Sequence, residues 1–480
     1  MELLIIISTF LIAAVIGLLT KRRRLIESAA IIAAAIALTE TIFIVMKIAA
    51  GQTYQVGKLF GIDALGALII LVVAILNLAT SLYAIDYLRR ETAKNIIGVN
   101  RPRQFFILLN LFSMAMYLAV SAQNPILAWI SIEATTLSTA FLISFYNKPS
   151  AMEAAWKYLI INSVGLLLGF FGTMLYFVSL LHGNEAGLAS WQNILENAGR
   201  IDPFIAKIAF IFVLIGYGTK VGLAPMHTWK PDAYGKAPSP IGAMFSGALL
   251  PVAFYIILKF RVITDSIVDP IFTQNLLIAF GLISIIFPAF IIMVVKDYKR
   301  LLAYSSIENA GVIALGFGFG GLGALAAILH MIFHSLIKAA LFYLSGNLML
   351  KYNSAKIENI KGAIKVLPWT SSLFLVGFFA ITGAPPFGVF FTKLIVFATG
   401  FYTHPKISAL ALFLVAVLFI GFFRQAMLMF FSEKPTDITV EKEDFSLIGP
   451  AMSLLLIVLI LSFYQPAFFQ TLINNAVAIY

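Results

Sequence analysis

The stretch IAKIAFIFVLIGYGTKVGLAPMHTWKPDAYGKAPSP, residues 205–240, decides the fold. It begins as an apolar helix, carries Lys220 deep in that helix, and is interrupted at Gly222 and Pro225. A charge at hydrocarbon depth is costly, so such side chains usually face a cavity or a partner. An interrupted helix also frees backbone groups that protein or water must satisfy. The stretch therefore predicts a broken membrane helix beside a water-filled ion path. The alternative is a kinked helix whose lysine reaches the surface.

The composition indicates a membrane protein. Of 480 residues, 61% are hydrophobic and 11% are charged, whereas soluble chains carry about a quarter charged residues. Apolar runs long enough to cross a bilayer recur along the chain. The absence of cysteine excludes disulfides, thiol catalysis and iron–sulfur or Cys-based zinc ligation by this chain. The net charge of +11 lies mainly in loops, so it indicates membrane topology rather than nucleic-acid binding.

We expect an all-α membrane protein of about fourteen spans. The longest polar loop, 182–203, follows the sixth span. Two interrupted helices, 205–240 and 368–400, occupy matching positions in two units of five spans, and an odd number of spans inverts the second unit. The predicted regions are an N-terminal three-helix region (1–103), two five-helix repeats (104–262 and 263–432) and a C-terminal helix (433–480).

The distribution of basic residues predicts the orientation. Most of the 33 Lys and Arg residues fall in the odd-numbered loops, beginning with the run Lys21–Arg24. Basic loops stay in the cytoplasm. We therefore expect both termini on the outer side of a prokaryotic plasma membrane.

Glu133 and Lys220 form the first candidate pair. Glu133 lies in the middle of the span ILAWISIEATTLSTAFLISF and needs a partner at that depth. Lys220 is the natural candidate, since an opposite charge favours both charged forms. Such a pair could couple the arrival of one proton to the release of another. The alternative is a static ion pair that holds two helices together.

The eleventh predicted span carries three titratable residues on one face. His330, His334 and Lys338 are spaced i, i+4, i+8, and histidine titrates nearest to neutral pH. This pattern predicts a proton relay, and Lys393 in the twelfth span would end it. Glu308 has two interpretations: it lies near a water-filled entrance, or it begins a helix.

Several segments resemble one known family. The segment HTWKPDAYGKAPSP (227–240) is similar to the H-x-W-L-P-D-A-H-x-x-A-P signature of the antiporter-like subunits of respiratory complex I. Mrp-type cation/proton antiporters and membrane-bound group 4 [NiFe] hydrogenases share these subunits. The segments DYKRLLAYSSIENAG (297–311), HMIFHSLIKAALFYLSGN (330–347) and TGAPPFGVFFTK (382–393) look like three further family blocks. Within the family, the chain most resembles component F of hydrogenase-4-type complexes.

The resemblance implies a function and a set of partners. It implies two inverted five-helix bundles with titratable residues along the membrane mid-plane. The subunit would move protons, or exchange Na⁺ for protons, without being catalytic itself and without binding a cofactor. A redox module with Fe–S and NiFe subunits would drive it, and other antiporter-like and small membrane subunits would surround it in the lipid bilayer. No nucleic acid is implied.

The resemblance also assigns the proton-transfer residues. Its matched positions are Glu133 in the fifth span, Lys220 in the seventh, His330, His334 and Lys338 in the eleventh, and Lys393 in the twelfth; His227 belongs to the signature. Where the signature has Leu and a second His, this chain has Lys230 and Tyr234, and Asp232 lies between them. Pro251 replaces an eighth-span lysine found in many relatives. A stand-alone or Mrp-type Na⁺/H⁺ antiporter and a structural anchor with a vestigial relay are the alternatives.

Overall fold

The computed structural model describes residues 1–178, 190–435, 438–440 and 442–480. Thirteen helices in this part are long and apolar enough to cross a membrane, and its one sheet is a two-stranded hairpin. One of the thirteen is Ser239–Asp265, whose two α-helical parts are joined by a π-helical segment at Phe245–Leu249. Residues 182–189 of the predicted polar loop lie outside the described part. The prediction of an all-α, multi-pass membrane protein is confirmed.

The elements follow the order of the chain. The strands are β1 (Tyr54–Val56) and β2 (Phe60–Ile62). The helices of the first half are α1 (Glu2–Leu19), α2 (Arg23–Ala49), α3 (Ala64–Ala93), α4 (Arg101–Ser121), α5 (Pro125–Ile143), α6 (Pro149–Val178), α7 (Trp191–Glu196), α8 (Pro203–Val221), α9 (Trp229–Lys236), α10 (Ser239–Met244) and α11 (Leu250–Asp265). Those of the second half are α12 (Ile271–Ile291), α13 (Tyr298–Phe319), α14 (Leu322–Tyr352), α15 (Ala363–Val366), α16 (Pro368–Thr382), α17 (Gly388–Thr403), α18 (Pro405–Phe430), α19 (Phe445–Phe463) and α20 (Ala467–Ile479).

Two interruptions mark the regions where the sequence predicts broken helices. Helix α8 ends at Gly222 and α16 ends at Gly383; both glycines have left-handed backbone conformations, with φ of 80° and 92°. Glycine adopts this conformation without a steric penalty, so it terminates helices readily. Proline follows each glycine and prevents the helix from continuing. The α16–α17 pair occupies the place of the twelfth predicted span, and neither piece alone has the length of the thirteen long helices.

Helix α14 lies at the centre of the bundle. It packs against α3, α10, α13, α16, α17 and α19, and its side chains are buried from Gly323 onward for most of its 31 residues. By contrast, α1, α2, α6, α12 and α18 bury only part of their surface and present apolar side chains outward, as lipid contact requires. Polar residues on α14 therefore lie far from lipid.

Close packing of α6 against α8 determines the position of Lys220 relative to the neighbouring helices. A Cβ on Gly216 of α8 would collide with the backbone of Gly169 of α6. Gly165, one turn earlier on α6, leaves room for Thr219. Small residues let helix backbones approach in membranes. The next residue on α8, Lys220, is thereby held against the helices beside it.

Helix α20 is an element that the sequence interpretation missed. It packs on α2, α3 and α14, with Phe469, Leu472, Ile473 and Ala476 buried. The inverted repeat and the four predicted regions remain predictions.

Candidate functional site

Lys220 is the centre of the first buried polar cluster. It lies in the last turn of α8 and is 1% exposed. Its Nζ donates hydrogen bonds to Thr136 Oγ1 at 2.9 Å and to Tyr158 OH at 2.8 Å. The structure therefore excludes the alternative in which this lysine reaches the surface.

Glu133 contacts Lys220 through a hydroxyl group. Thr136 Oγ1, which accepts from the lysine, donates to Glu133 Oε2 at 3.2 Å, and Ser163 Oγ donates to Oε1 at 3.1 Å. The link between the predicted partners is thus indirect. Glu133 and Thr136 are three residues apart on α5 and share one face, so the threonine side chain lies between the carboxylate and the lysine.

A second cluster contains a direct ion pair between Lys393 and Glu308. The Lys393 Nζ lies 2.8 Å from Glu308 Oε1, and both residues are almost completely buried. The same Nζ lies 3.4 Å from the carbonyl oxygen of Thr382, at the end of α16. Glu308 is in the middle of α13, so the interpretation that it begins a helix is wrong. The pair borders a narrow cleft next to α18.

His330 extends this second cluster towards the centre of the bundle. Its Nε2 lies 3.0 Å from Asn309 Oδ1, and its Nδ1 lies 2.8 Å from Thr392 Oγ1. Asn309 also donates from Nδ2 to Glu308 Oε2 at 2.5 Å. Because the amide nitrogen of Asn309 donates to Glu308, its amide oxygen must face His330 and accept a hydrogen bond. The proton of the neutral imidazole is therefore on Nε2. Continuous hydrogen bonds thus join Lys393 to His330.

His334 and Lys338 continue along α14, one and two turns beyond His330. All three residues are fully buried, as their common helix face predicts. Lys338 Nζ donates to the carbonyl oxygen of Leu302 at 2.8 Å. Both ring nitrogens of His334 lack a hydrogen-bond partner among the described residues.

The residues after the first break have separate environments. Lys230 is 1% exposed and donates to the carbonyl oxygen of Val221 at 2.7 Å. The ring of Tyr234 lies 5.6 Å from its Nζ. The ring of His227 packs against an aromatic side chain, and its Nδ1 has no partner in the described part of the chain. Asp232 pairs with a lysine of α6 and an arginine of α13, so it connects helices at the edge of the site.

Sequence interpretation missed the neutral polar residues of both clusters: Thr136, Tyr158, Ser163, Asn309 and Thr392. One signal could have found two of them. Thr136 follows Glu133 by three residues and Thr392 precedes Lys393, so each lies beside a predicted charge. The other three require knowledge of which helices pack together.

The described residues contain no group of three or more His, Cys, Asp or Glu side chains that could hold a metal ion. The polar groups that do converge are amines, carboxylates, imidazoles and hydroxyls. These groups can hold and pass protons.

Solved structures share this fold. The chain is similar to a subunit of the membrane-bound sulfane sulfur reductase, an archaeal respiratory membrane complex, with a TM-score of 0.87 and 22% identity over 100% of this chain and 96% of that one. A chain of the Mrp complex from Dietzia sp. DQ12-45-1b gives 0.86 and 19%, covering 99% and 96%. A chain of respiratory complex I from Thermus thermophilus gives 0.77 and 20%, covering 96% and 97%.

Sequence comparison identifies the family. The chain is 37% identical to the hydrogenase-4 component F homolog of Methylacidiphilum infernorum (isolate V4) over 74% of this chain and 75% of that protein. It is 28% identical to hydrogenase-4 component B of Escherichia coli (strain K12), covering 73% of this chain and 52% of that protein. The profile described as NADH:quinone oxidoreductase/Mrp antiporter, TM matches residues 122–420. This chain therefore belongs to the NADH:quinone oxidoreductase/Mrp antiporter transmembrane family.

Proposed function

We propose that this chain is a proton-translocating subunit of a multi-subunit respiratory complex and is itself redox-inactive. One observation carries the proposal: two buried lysines are each connected to a glutamate, and hydrogen bonds join the second of these clusters to His330 on α14. Buried ionisable groups in membrane helices are costly and mark ion pathways.

The first cluster supports proton transfer through its hydrogen-bond directions. Lys220 donates to the hydroxyl of Thr136, which in turn donates to Glu133. A proton can leave the lysine and a different proton can reach the carboxylate when the hydroxyl exchanges its hydrogen. The second cluster places Glu308 directly against Lys393. Charge interactions are strong in a poorly screened interior. A change of charge in one cluster therefore alters the electrostatic potential at the titratable residues of α14.

The placement of the charged residues supports the predicted repeat. In the first unit, Glu133 lies on the second span and Lys220 on the interrupted fourth. In the second unit, Glu308 lies on the second span and Lys393 on the interrupted fourth. Transporters with inverted repeats place their ion sites at such interrupted helices. Two equivalent half-paths, linked by His330 and its neighbours on α14, follow from this arrangement.

The partners and location are part of the proposal. The names of the similar proteins connect them with hydrogenase, quinone oxidoreductase and Mrp complexes. We propose that antiporter-like and small membrane subunits contact this chain and that a redox module with Fe–S and NiFe subunits drives it. The chain would bind no cofactor and would lie in a prokaryotic plasma membrane with both termini outside.

The test compares two lysines of α8. Lys220→Met should abolish redox-driven proton uptake by membrane vesicles that contain the complete complex, while electron transfer continues. Lys207→Met is the matched control, because Lys207 lies on the same helix but is exposed. Wild-type proton uptake by the Lys220 variant refutes the proposal.

An Mrp-type Na⁺/H⁺ antiporter without redox coupling is the second candidate, favoured by the similarity to the Mrp complex over 99% of this chain. Vesicles that contain this chain with its co-purifying subunits distinguish the two functions. Na⁺/H⁺ exchange that is independent of any electron donor favours the second candidate.

A further inference from the structure

Lys230 and Lys393 occupy equivalent positions at the two helix breaks. A Cβ added to Gly222 would lie 2.6 Å from Lys230 Cδ, and one added to Gly383 would lie 3.1 Å from Lys393 Cδ. Each lysine also reaches back to the end of the preceding helix: Lys230 donates to Val221 at 2.7 Å, and Lys393 lies within 3.5 Å of two carbonyls of α16. The carbonyl end of a helix attracts a cation. By its contacts at the break, Lys230 is thus a second counterpart of Lys393, in addition to Lys220.

Lys230 differs from Lys393 in having no carboxylate beside it. Lys393 pairs with Glu308, whereas no carboxylate in the described residues pairs with Lys230. An ammonium group has three N–H donors, and in the described part of the chain the Lys230 Nζ contacts one carbonyl oxygen and the face of Tyr234. A purely structural cation at this depth would be expected to have an acidic partner.

A buried polar group without a protein partner lies on the central helix α14. His334 is fully buried and both of its ring nitrogens lack partners in the described part of the chain. Tyr234, whose ring lies 5.6 Å from Lys230 Nζ, packs against Phe342 of α14 at 5.5 Å, one turn beyond Lys338. Buried polar groups without protein partners usually bind ordered water. His334 therefore marks a location suited to water, on the face of α14 that also carries Lys338.

We propose that Lys230 is a proton-carrying residue that joins the two halves of the path, through water held between it, His334 and Lys338. The inference rests on the proposed function and adds a step to it. Lys230 accepts a proton from the side of Lys220 and passes it through water to His334, each transfer forming one N–H or O–H bond as another breaks.

Lys230→Arg is the decisive variant. Arginine keeps the positive charge and can still donate to the Val221 carbonyl, but it does not deprotonate in proteins. We expect the assembled complex to retain electron transfer and to lose proton uptake at least about tenfold, since general acid–base steps contribute that much or more. Lys236→Arg, the same substitution on the same short helix, should leave uptake unchanged.

The outcomes separate this inference from the proposed function. Wild-type uptake by Lys230→Arg together with loss in Lys220→Met overturns the role of Lys230 alone; wild-type uptake by both overturns the function as well. A high-resolution map of the unmodified complex tests the same idea if the arginine variant does not assemble. Water within hydrogen-bond distance of Lys230 Nζ and the His334 ring supports the inference, and a dry, closed contact there overturns it.

Discussion

Removal of one partner from the Glu308–Lys393 pair should destabilise the protein severely. The two charges are 2.8 Å apart, with side chains 5% and 8% exposed. Glu308→Gln keeps the shape and a hydrogen-bonding group but leaves the lysine charge buried and uncompensated. Losing one member of a buried pair costs about 3–5 kcal/mol. Lys393→Met should cost a similar amount, for the same reason with the charges reversed.

The double variant tests whether the pair is the cause. With both charges removed, the loss should be smaller than the sum of the single losses by about 2–3 kcal/mol. Unfolding of the purified chain in detergent measures each value. Glu358→Gln, which breaks an ion pair with Lys356 in which both side chains are 65% exposed, should leave stability unchanged. Additive single losses, or a Glu308→Gln variant as stable as the wild type, would refute the argument.

Three further changes test other parts of the structure. Gly222→Ala should lower the thermal midpoint more than Gly51→Ala, because both have φ near 80° but only the first Cβ has a neighbour within 4 Å; equal shifts in thermal scans would show that the contact is unimportant. Thr136→Val should reduce proton uptake by vesicles at least about tenfold, the equivalent of one hydrogen bond to a charged group; unchanged uptake would exclude the hydroxyl bridge. Burial alone would raise the pKa of Asp63, but the ion pair with Lys259 at 2.6 Å and its hydrogen bonds lower it overall. The stabilising effect of the Asp63 carboxylate is therefore present at neutral pH and lost as the pH falls through the pKa of that carboxyl group. The difference in free energy of unfolding between wild type and Asp63→Asn should shrink on acidification. A difference that stays constant with pH would contradict a stabilising ion pair between Asp63 and Lys259.

The interrupted helices could be predicted because their signals are local. A glycine that adopts a left-handed conformation and a proline that follows it are sufficient to end a helix, and both appear at Gly222 and Gly383. Apolar runs likewise predict spans without knowledge of neighbours. The eight-residue α9 was harder to predict, since its sequence is polar and its burial depends on packing against α6 and α13.

The partners of the charged residues could not be predicted from spacing alone. The sequence gives the position of Glu308 along its helix. It does not give the rotation of that helix about its axis, which directs the carboxylate at Lys393. The same limitation left Thr136 out of the predicted pair of Glu133 and Lys220, although its hydroxyl lies between the two side chains. Contacts between helices depend on rotations and separations that no single helix encodes.

The glycines of α6 are the sequence signal that links packing to chemistry at the first cluster. Gly165, Gly169 and Gly172 are spaced i, i+4, i+7, which places them on one face, and that face is occupied by α8. A side chain at Gly172 or Gly216 would lie less than 3.0 Å from backbone atoms of the opposite helix and would force the two helices apart. Tyr158 and Thr136 would then no longer both reach the amine of Lys220, to which they lie within 3 Å. The small residues therefore determine the geometry of the Lys220 cluster, because the hydrogen bonds to the lysine require the close approach of α6 and α8 that only small residues permit.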